Sequence, residues 1–118
     1  MLDLMVVDDH ELVRTGISRM LEDVPDIRVV AQASSGEQAM ELARDLEPDV
    51  VLMDVKMPGI GGLEAVRRIV ERQPTPILML SGYTEEGTNL LFETLDAGAV
   101  DFFPKPGGQV SPELVRYR

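Results

Sequence analysis

Val50-Val51-Leu52-Met53-Asp54 is a short apolar run ended by a carboxylate. It is too short for an independent helix and has the length and β-branched content of a strand. Three other runs end the same way on polar residues. Leu2-Asp3-Leu4-Met5-Val6-Val7 leads into Asp8-Asp9. Ile77-Leu78-Met79-Leu80 leads into Ser81-Gly82, and Val100-Asp101-Phe102-Phe103-Pro104 leads into Lys105-Pro106. If these runs are parallel strands, their carboxyl ends share one edge of the sheet, where open α/β folds bind ligands. Three carboxylates, a hydroxyl and an ammonium then converge, a set suited to one divalent cation and one phosphoryl group.

Working outward, apolar runs alternate with segments of helical period, the pattern of βαβ units. Strands are expected near 2–7, 28–33, 50–54, 77–81 and 100–104. A first helix is expected from Glu11 to Asp23, with Leu12, Val13, Gly16, Ile17, Met20 and Leu21 on its apolar stripe and Pro25 beyond its end. The second opens on Ser35, with Gln38 three residues later in a capping-box pattern. Its inward residues are Ala39, Met40, Ala43 and Leu46, and Pro48 closes it. The third starts near Gly62 and buries Leu63, Val66, Ile69 and Val70. The fourth spans Gly87 to Ala97, with Gly98 at the left-handed C′ position. After Lys105 comes a loop, Pro106-Gly107-Gly108-Gln109, then Ser111-Pro112 as an N-cap and N1 proline. The few residues left predict a fifth helix that is incomplete after about residue 112. The whole of 1–118 is thus read as one domain cut from a longer protein.

Composition narrows the classes of function. The 118 residues suffice for one core. There is no cysteine, so neither a disulfide framework nor a thiolate metal site is available. The net charge of −10 argues against this domain gripping nucleic acid directly. The first apolar run is short, carries Asp3 and lacks a preceding basic region, which argues against a signal peptide or membrane helix. The cytoplasm is the expected location.

The chemistry of the acidic edge follows from charge. Two carboxylates about 4 Å apart repel by roughly 4 kcal/mol at an effective dielectric near 20. A hard cation such as Mg²⁺ (or Mn²⁺) relieves this, and Mg²⁺ commonly sits on one or two carboxylates plus phosphate oxygens. Asp8 and Asp9 are candidate ligands. Asp54 is a candidate ligand and nucleophile, able to form an acyl phosphate. Lys105 would balance charge on the transferring oxygens and Ser81 would donate a hydrogen bond. Taken singly, Asp8-Asp9 also suits a turn or helix start. His10, the only histidine, could be a ligand but reads better as an exposed helix-start residue. From spacing alone Phe102 reads as core, and the seven methionines as core filler.

These segments together resemble the receiver domain of bacterial two-component response regulators. The resemblance is carried by Val6-Val7-Asp8-Asp9-His10, Leu52-Met53-Asp54-Val55-Lys56-Met57-Pro58-Gly59, Met79-Leu80-Ser81-Gly82 and Ala97-Gly98-Ala99-Val100-Asp101-Phe102-Phe103-Pro104-Lys105-Pro106, in order across residues 1–106. It implies a flavodoxin-like (βα)5 fold, with a parallel sheet of order 2-1-3-4-5. It implies that Asp54 accepts a phosphoryl group from a histidine kinase. Asp8, Asp9, Asp54 and the backbone carbonyl of Lys56 would hold Mg²⁺, and Ser81 and Lys105 would assist the transfer. Ser81 and Phe102 would form the switch, and the side chains of Lys56 and Tyr83 would tune the phosphoryl lifetime. A cis bond between Lys105 and Pro106 is also implied.

Residues 1–70 look most like receivers attached to helix-turn-helix DNA-binding domains. Residues 74–106 look more like receivers of chemotaxis protein-glutamate methylesterases. An output domain of either type is therefore expected in a longer parent, while this chain would be a phosphoacceptor and no output enzyme. A shortened fifth helix predicts apolar surface near the fifth strand and self-association as a homodimer. Alternatives are a Mg²⁺-dependent phosphatase with an aspartyl nucleophile, a flavodoxin-like FMN carrier and a receiver-like interaction module that is never phosphorylated. The first lacks a second Asp two residues after Asp8 or Asp9, and the second lacks a hydroxyl- and glycine-rich phosphate loop.

Overall fold

The computed structural model describes residues 1–82 and 85–104, without the side chains of residues 85–88. Tyr83, Lys105, the Lys105–Pro106 bond and the expected fifth helix lie outside the described residues. Within them the order is β1 (Leu2–Val7), α1 (Glu11–Glu22), β2 (Ile27–Ala33), α2 (Gly36–Leu46), β3 (Val50–Asp54), α3 (Gly61–Arg72), β4 (Ile77–Ser81), α4 (Glu85–Ala97) and β5 (Asp101–Pro104). The strands form one sheet of order β2-β1-β3-β4-β5, and every neighbouring pair is parallel. This is the expected 2-1-3-4-5 flavodoxin-like order. The reversal of strand order between β1 and β3 is where such sheets open a crevice at their carboxyl ends.

Side-chain alternation along the strands sorts the core into two layers. Met5, Val7, Val51, Met53 and Met79 join Ala39, Ala65, Val66, Ile69 and Leu91 on the face covered by α2, α3 and α4. Leu4, Val6 and Leu80 pack with Ile17 of α1 on the other, where Val13 and Leu21 are partly buried. The central strands are therefore apolar on both faces, as parallel strands between helices must be.

Helix ends follow local chemistry. The Ser35 hydroxyl accepts the Gln38 N–H at 3.1 Å, capping α2. The Gln38 side chain accepts the Ser34 N–H at 2.8 Å, one residue earlier than the reciprocal bond of a standard capping box. After α4, Gly98 adopts φ 129°, the positive-φ stop expected of it. A β-carbon there would also press on Val70, whose nearest atom is 3.0 Å away.

Several apolar expectations fail, always at the periphery. Leu12 is 87% exposed and Met20 65%, so the buried stripe of α1 narrows to Ile17 with Val13 and Leu21 beside it. Leu46 is exposed at the end of α2, and Leu42 takes a place against the core instead. Leu63 and Val70 are only partly buried, whereas Val66 and Ile69 are fully so. Met5, Met53 and Met79 fill the core, but Met1 and Met20 do not. Phe102 is 43% exposed, against the core reading from spacing. Among the described residues β5 pairs only with β4 and ends the sheet, so it has a neighbour strand on one side alone.

Candidate functional site

The end of β3 and the loop after β1 bring the acidic residues together. Asp8 follows Leu4 and Val6 in the alternation of β1, and Asp54 follows Leu52 in β3, so both carboxylates leave the sheet toward the same side. The backbone holds this edge firmly. Asp8 N–H donates to the Ala33 carbonyl at 3.0 Å, and Val55 N–H to the Leu80 carbonyl at 3.1 Å. Those bonds tie the site to β2 and β4 beyond the last strand residues.

Asp8 is fully buried and Asp54 nearly so, while Asp9 is half-buried and His10 exposed. Each of these four residues offers one ligand atom, and all four atoms lie within 4.8 Å of one another. The donor set is three carboxylates and one imidazole. Its carboxylates fit Mg²⁺, which takes oxygen ligands and suits clustered negative charge. Lys56 follows two residues after Asp54 with its side chain exposed.

Ser81 ends β4, pairs in register with Pro104 and is half-buried. Its hydroxyl donates to the Gly82 carbonyl at 3.0 Å. Phe102 lies one strand further out, opposite Met79. The sheet thus places Asp8, Asp9 and Asp54 in one cluster, with Ser81 on the neighbouring strand end and Phe102 at the edge.

Two contributors carry little signal in the sequence. Arg14 donates from Nη1 to the backbone carbonyl of Asp8 at 2.7 Å, tethering the acidic loop to α1. Only its spacing of one helical turn from His10 points to it. Gly62, at the start of α3, lies directly against the backbone of the β3 end. A β-carbon on it would collide with the Asp54 carbonyl oxygen and come within 2.8 Å of that of Val55. The residue reads in the sequence as a helix start; its closeness to Asp54 is a tertiary fact.

The response regulator receiver domain model matches residues 4–113. The chain belongs to the response regulator receiver family. Its receiver fold is shared with the response regulator domain of Thermotoga maritima CheB, at 39% identity and a TM-score of 0.84, over 99% of this chain and 92% of that one. A LuxR-family response regulator from Aurantimonas sp. SI85-9A1 gives 35% identity and 0.82, over 98% and 81%.

Among curated proteins, the protein-glutamate methylesterase/protein-glutamine glutaminase of Natronomonas pharaonis is 55% identical over 107 residues, 91% of this chain and 30% of that protein. The response regulator GacA of Pseudomonas aeruginosa is 51% identical over 110 residues, 92% of this chain and 50% of that protein. Both kinds of relative expected from the sequence are thus found, each matched across more than nine tenths of this receiver. The chain spans a third to a half of their lengths. Membership favours a signalling switch over the phosphatase and FMN readings. No helix among the described residues is long and apolar enough to cross a membrane.

Proposed function

We propose that this receiver domain is a phosphorylation-driven switch in which Asp54 is the phosphoacceptor. The reading is carried by one observation: a nearly buried carboxylate at the end of the central strand, clustered with Asp8 and Asp9 at the sheet's carboxyl edge. A carboxylate oxygen of Asp54 attacks the phosphorus of a histidine kinase's phosphohistidine. The new O–P bond forms as the N–P bond breaks, and the electron pair leaves with the imidazole nitrogen. Asp8, Asp9, Asp54 and the backbone carbonyl of Lys56 would hold Mg²⁺, which supplies charge neutralisation to the phosphoryl oxygens when bound.

The chain's own residues do the positioning. The bond from Arg14 to the Asp8 carbonyl fixes the acidic loop, and burial keeps Asp54 at the strand end. The Ser81 hydroxyl, held by the Gly82 carbonyl, is free to exchange that bond for a phosphoryl oxygen. Such an exchange shifts β4 relative to the edge strand and biases the half-exposed Phe102 between two positions. This is a two-state equilibrium, with the phosphoryl group binding one state better. Lys105 would contribute the ammonium, and Lys56 and Tyr83 would set how readily water removes the phosphoryl group. The domain, spanning 1–118, would pass its state to an output domain of DNA-binding or methylesterase type in a cytoplasmic parent, or to a second copy of itself.

Intact mass after incubation with acetyl phosphate tests this. One added phosphoryl is expected with Mg²⁺, none with EDTA and none in Asp54→Asn. A persistent adduct on the Asn variant would move the acceptor elsewhere.

A further inference from the structure

His10 occupies a position in the cluster that a helix-start residue does not require. Its backbone is fixed from both sides. Its N–H donates to Asp8 Oδ1 at 2.8 Å, and its carbonyl accepts the N–H groups of Val13 and Arg14, both at 3.1 Å. With the backbone held, the ring lies over the acidic pair although 63% of the side chain is exposed. Nδ1 is 3.1 Å from Asp8 Oδ1 and 3.2 Å from Asp9 Oδ1.

The first of those distances is a hydrogen bond and the second an ion-pair contact, and the same two distances also match the spacing of ligands on one ion. With bonds of about 2.1 Å, neighbouring donor atoms sit about 3.0 Å apart in an octahedron and about 3.4 Å apart in a tetrahedron. We propose that His10 is a further protein ligand of the metal centre, acting through Nδ1, and that it tilts the centre toward first-row transition ions such as Ni²⁺ and Zn²⁺ over Mg²⁺. The inference rests on the receiver reading for the existence of a cation site, and adds its selectivity.

The chemistry gives the direction. Mg²⁺ is a hard ion that prefers oxygen and retains several waters, so an imidazole adds little to its binding. Ni²⁺ and Zn²⁺ bind imidazole nitrogen well, whereas Mg²⁺ favours carboxylate, carbonyl and water oxygens. Two carboxylate oxygens, each within 3.2 Å of one imidazole nitrogen, form a mixed nitrogen–oxygen set of the kind such ions take. A transition ion held there would compete with Mg²⁺ for the same aspartates, making metal identity an input to the switch.

The composition makes the test clean. His10 is the only histidine, and there is no cysteine. Any imidazole-dependent binding by this chain therefore reports on His10 alone. Calorimetric titration of the full chain with Ni²⁺, Zn²⁺ and Mg²⁺ at one fixed neutral pH, on wild type, His10→Phe and His10→Asn, reads the selectivity. Nitrogen-15 NMR of the single imidazole reads the ligating atom.

The expected result is a loss of about tenfold or more in Ni²⁺ and Zn²⁺ affinity in both variants, with Mg²⁺ affinity changed less than about twofold. Ni²⁺ or Zn²⁺ should move the Nδ1 resonance in wild type. Retained Mg²⁺ binding shows that the variants fold. Equal loss for all three ions would overturn the proposal, since His10 would then act only by holding Asp8. Unchanged affinity for all three would also overturn it and leave the Mg²⁺ site standing. A wild-type chain that binds no divalent ion would remove the metal centre of the receiver reading together with this inference.

Discussion

At the scale of single residues, the site is a balance of crowded charge against burial. Asp54 is 4% exposed and shares a small volume with Asp8 and Asp9. Without a cation, neutralising one of the three removes repulsion. Asp54→Asn is therefore expected to keep the fold, to be as stable as wild type or more so in EDTA, and to accept no phosphoryl group. Urea melts and intact mass check the two halves of this expectation. Gly62 offers a second test. With the Asp54 carbonyl against its α-carbon, Gly62→Ala has no flexible neighbour to displace, only backbone. Overpacking of this kind costs about 1–3 kcal/mol. A lower urea midpoint is expected, with slower labelling of Asp54 by acetyl phosphate. Undiminished stability would mean that α3 can retreat from the strand end.

At the scale of elements, capping and edge position explain most of what the periodicity alone misses. Ser35 caps α2 by accepting the Gln38 N–H. Its replacement by Ala should cost about 0.5–2 kcal/mol, seen as a lower thermal midpoint. The four-residue β5 marks the opposite extreme. All its residues are exposed by the area they show, and Phe102 and Phe103 are 43% and 47% exposed. Aromatic side chains open to solvent on an edge strand have room to change rotamer, as the proposed switch requires. Phe102→Ala should therefore cost little stability while weakening the response to phosphorylation, measured as the chemical-shift change on adding beryllofluoride. A loss of several kcal/mol would show that Phe102 is a core residue after all.

At the scale of the whole molecule, the core and the acidic edge draw on different residues and should fail separately. Met53 is fully buried one position before Asp54, in the layer covered by α3 and α4. Met53→Ala is expected to cost about 2–5 kcal/mol by opening a cavity on the face of the sheet opposite the Asp54 carboxylate. Mg²⁺ acts by linkage instead. At about 100 times its Kd it adds about 2.7 kcal/mol, which EDTA removes. Asp8→Asn combined with Asp9→Asn should abolish that increment while raising the metal-free stability, by the same relief of repulsion expected of Asp54→Asn. A Mg²⁺ increment of full size in the double variant would place the ion elsewhere.

Strand ends and the acidic cluster were legible in the sequence because they rest on local rules, whereas the strand order came only with the receiver resemblance. Short β-branched runs make strands, and Asp8, Asp9, Asp54 and Ser81 follow them directly. Parallel connection then forces those ends onto one edge. Ser35 and Gly98 were legible for the same reason, since a cap and a positive-φ stop depend on neighbours within one turn. Tertiary structure decided which members of each apolar stripe stay at the surface. Leu12 and Met20 have the right helical spacing, yet the part of α1 that meets the core, Ile17 with Val13 and Leu21, is narrower than its apolar face. It also decided that Gly62 abuts the Asp54 carbonyl, that Arg14 reaches back to Asp8, and that His10 swings over both aspartates. Each of these depends on the angle at which a helix leaves the sheet edge, a quantity set by packing between layers rather than by the residues of any one segment.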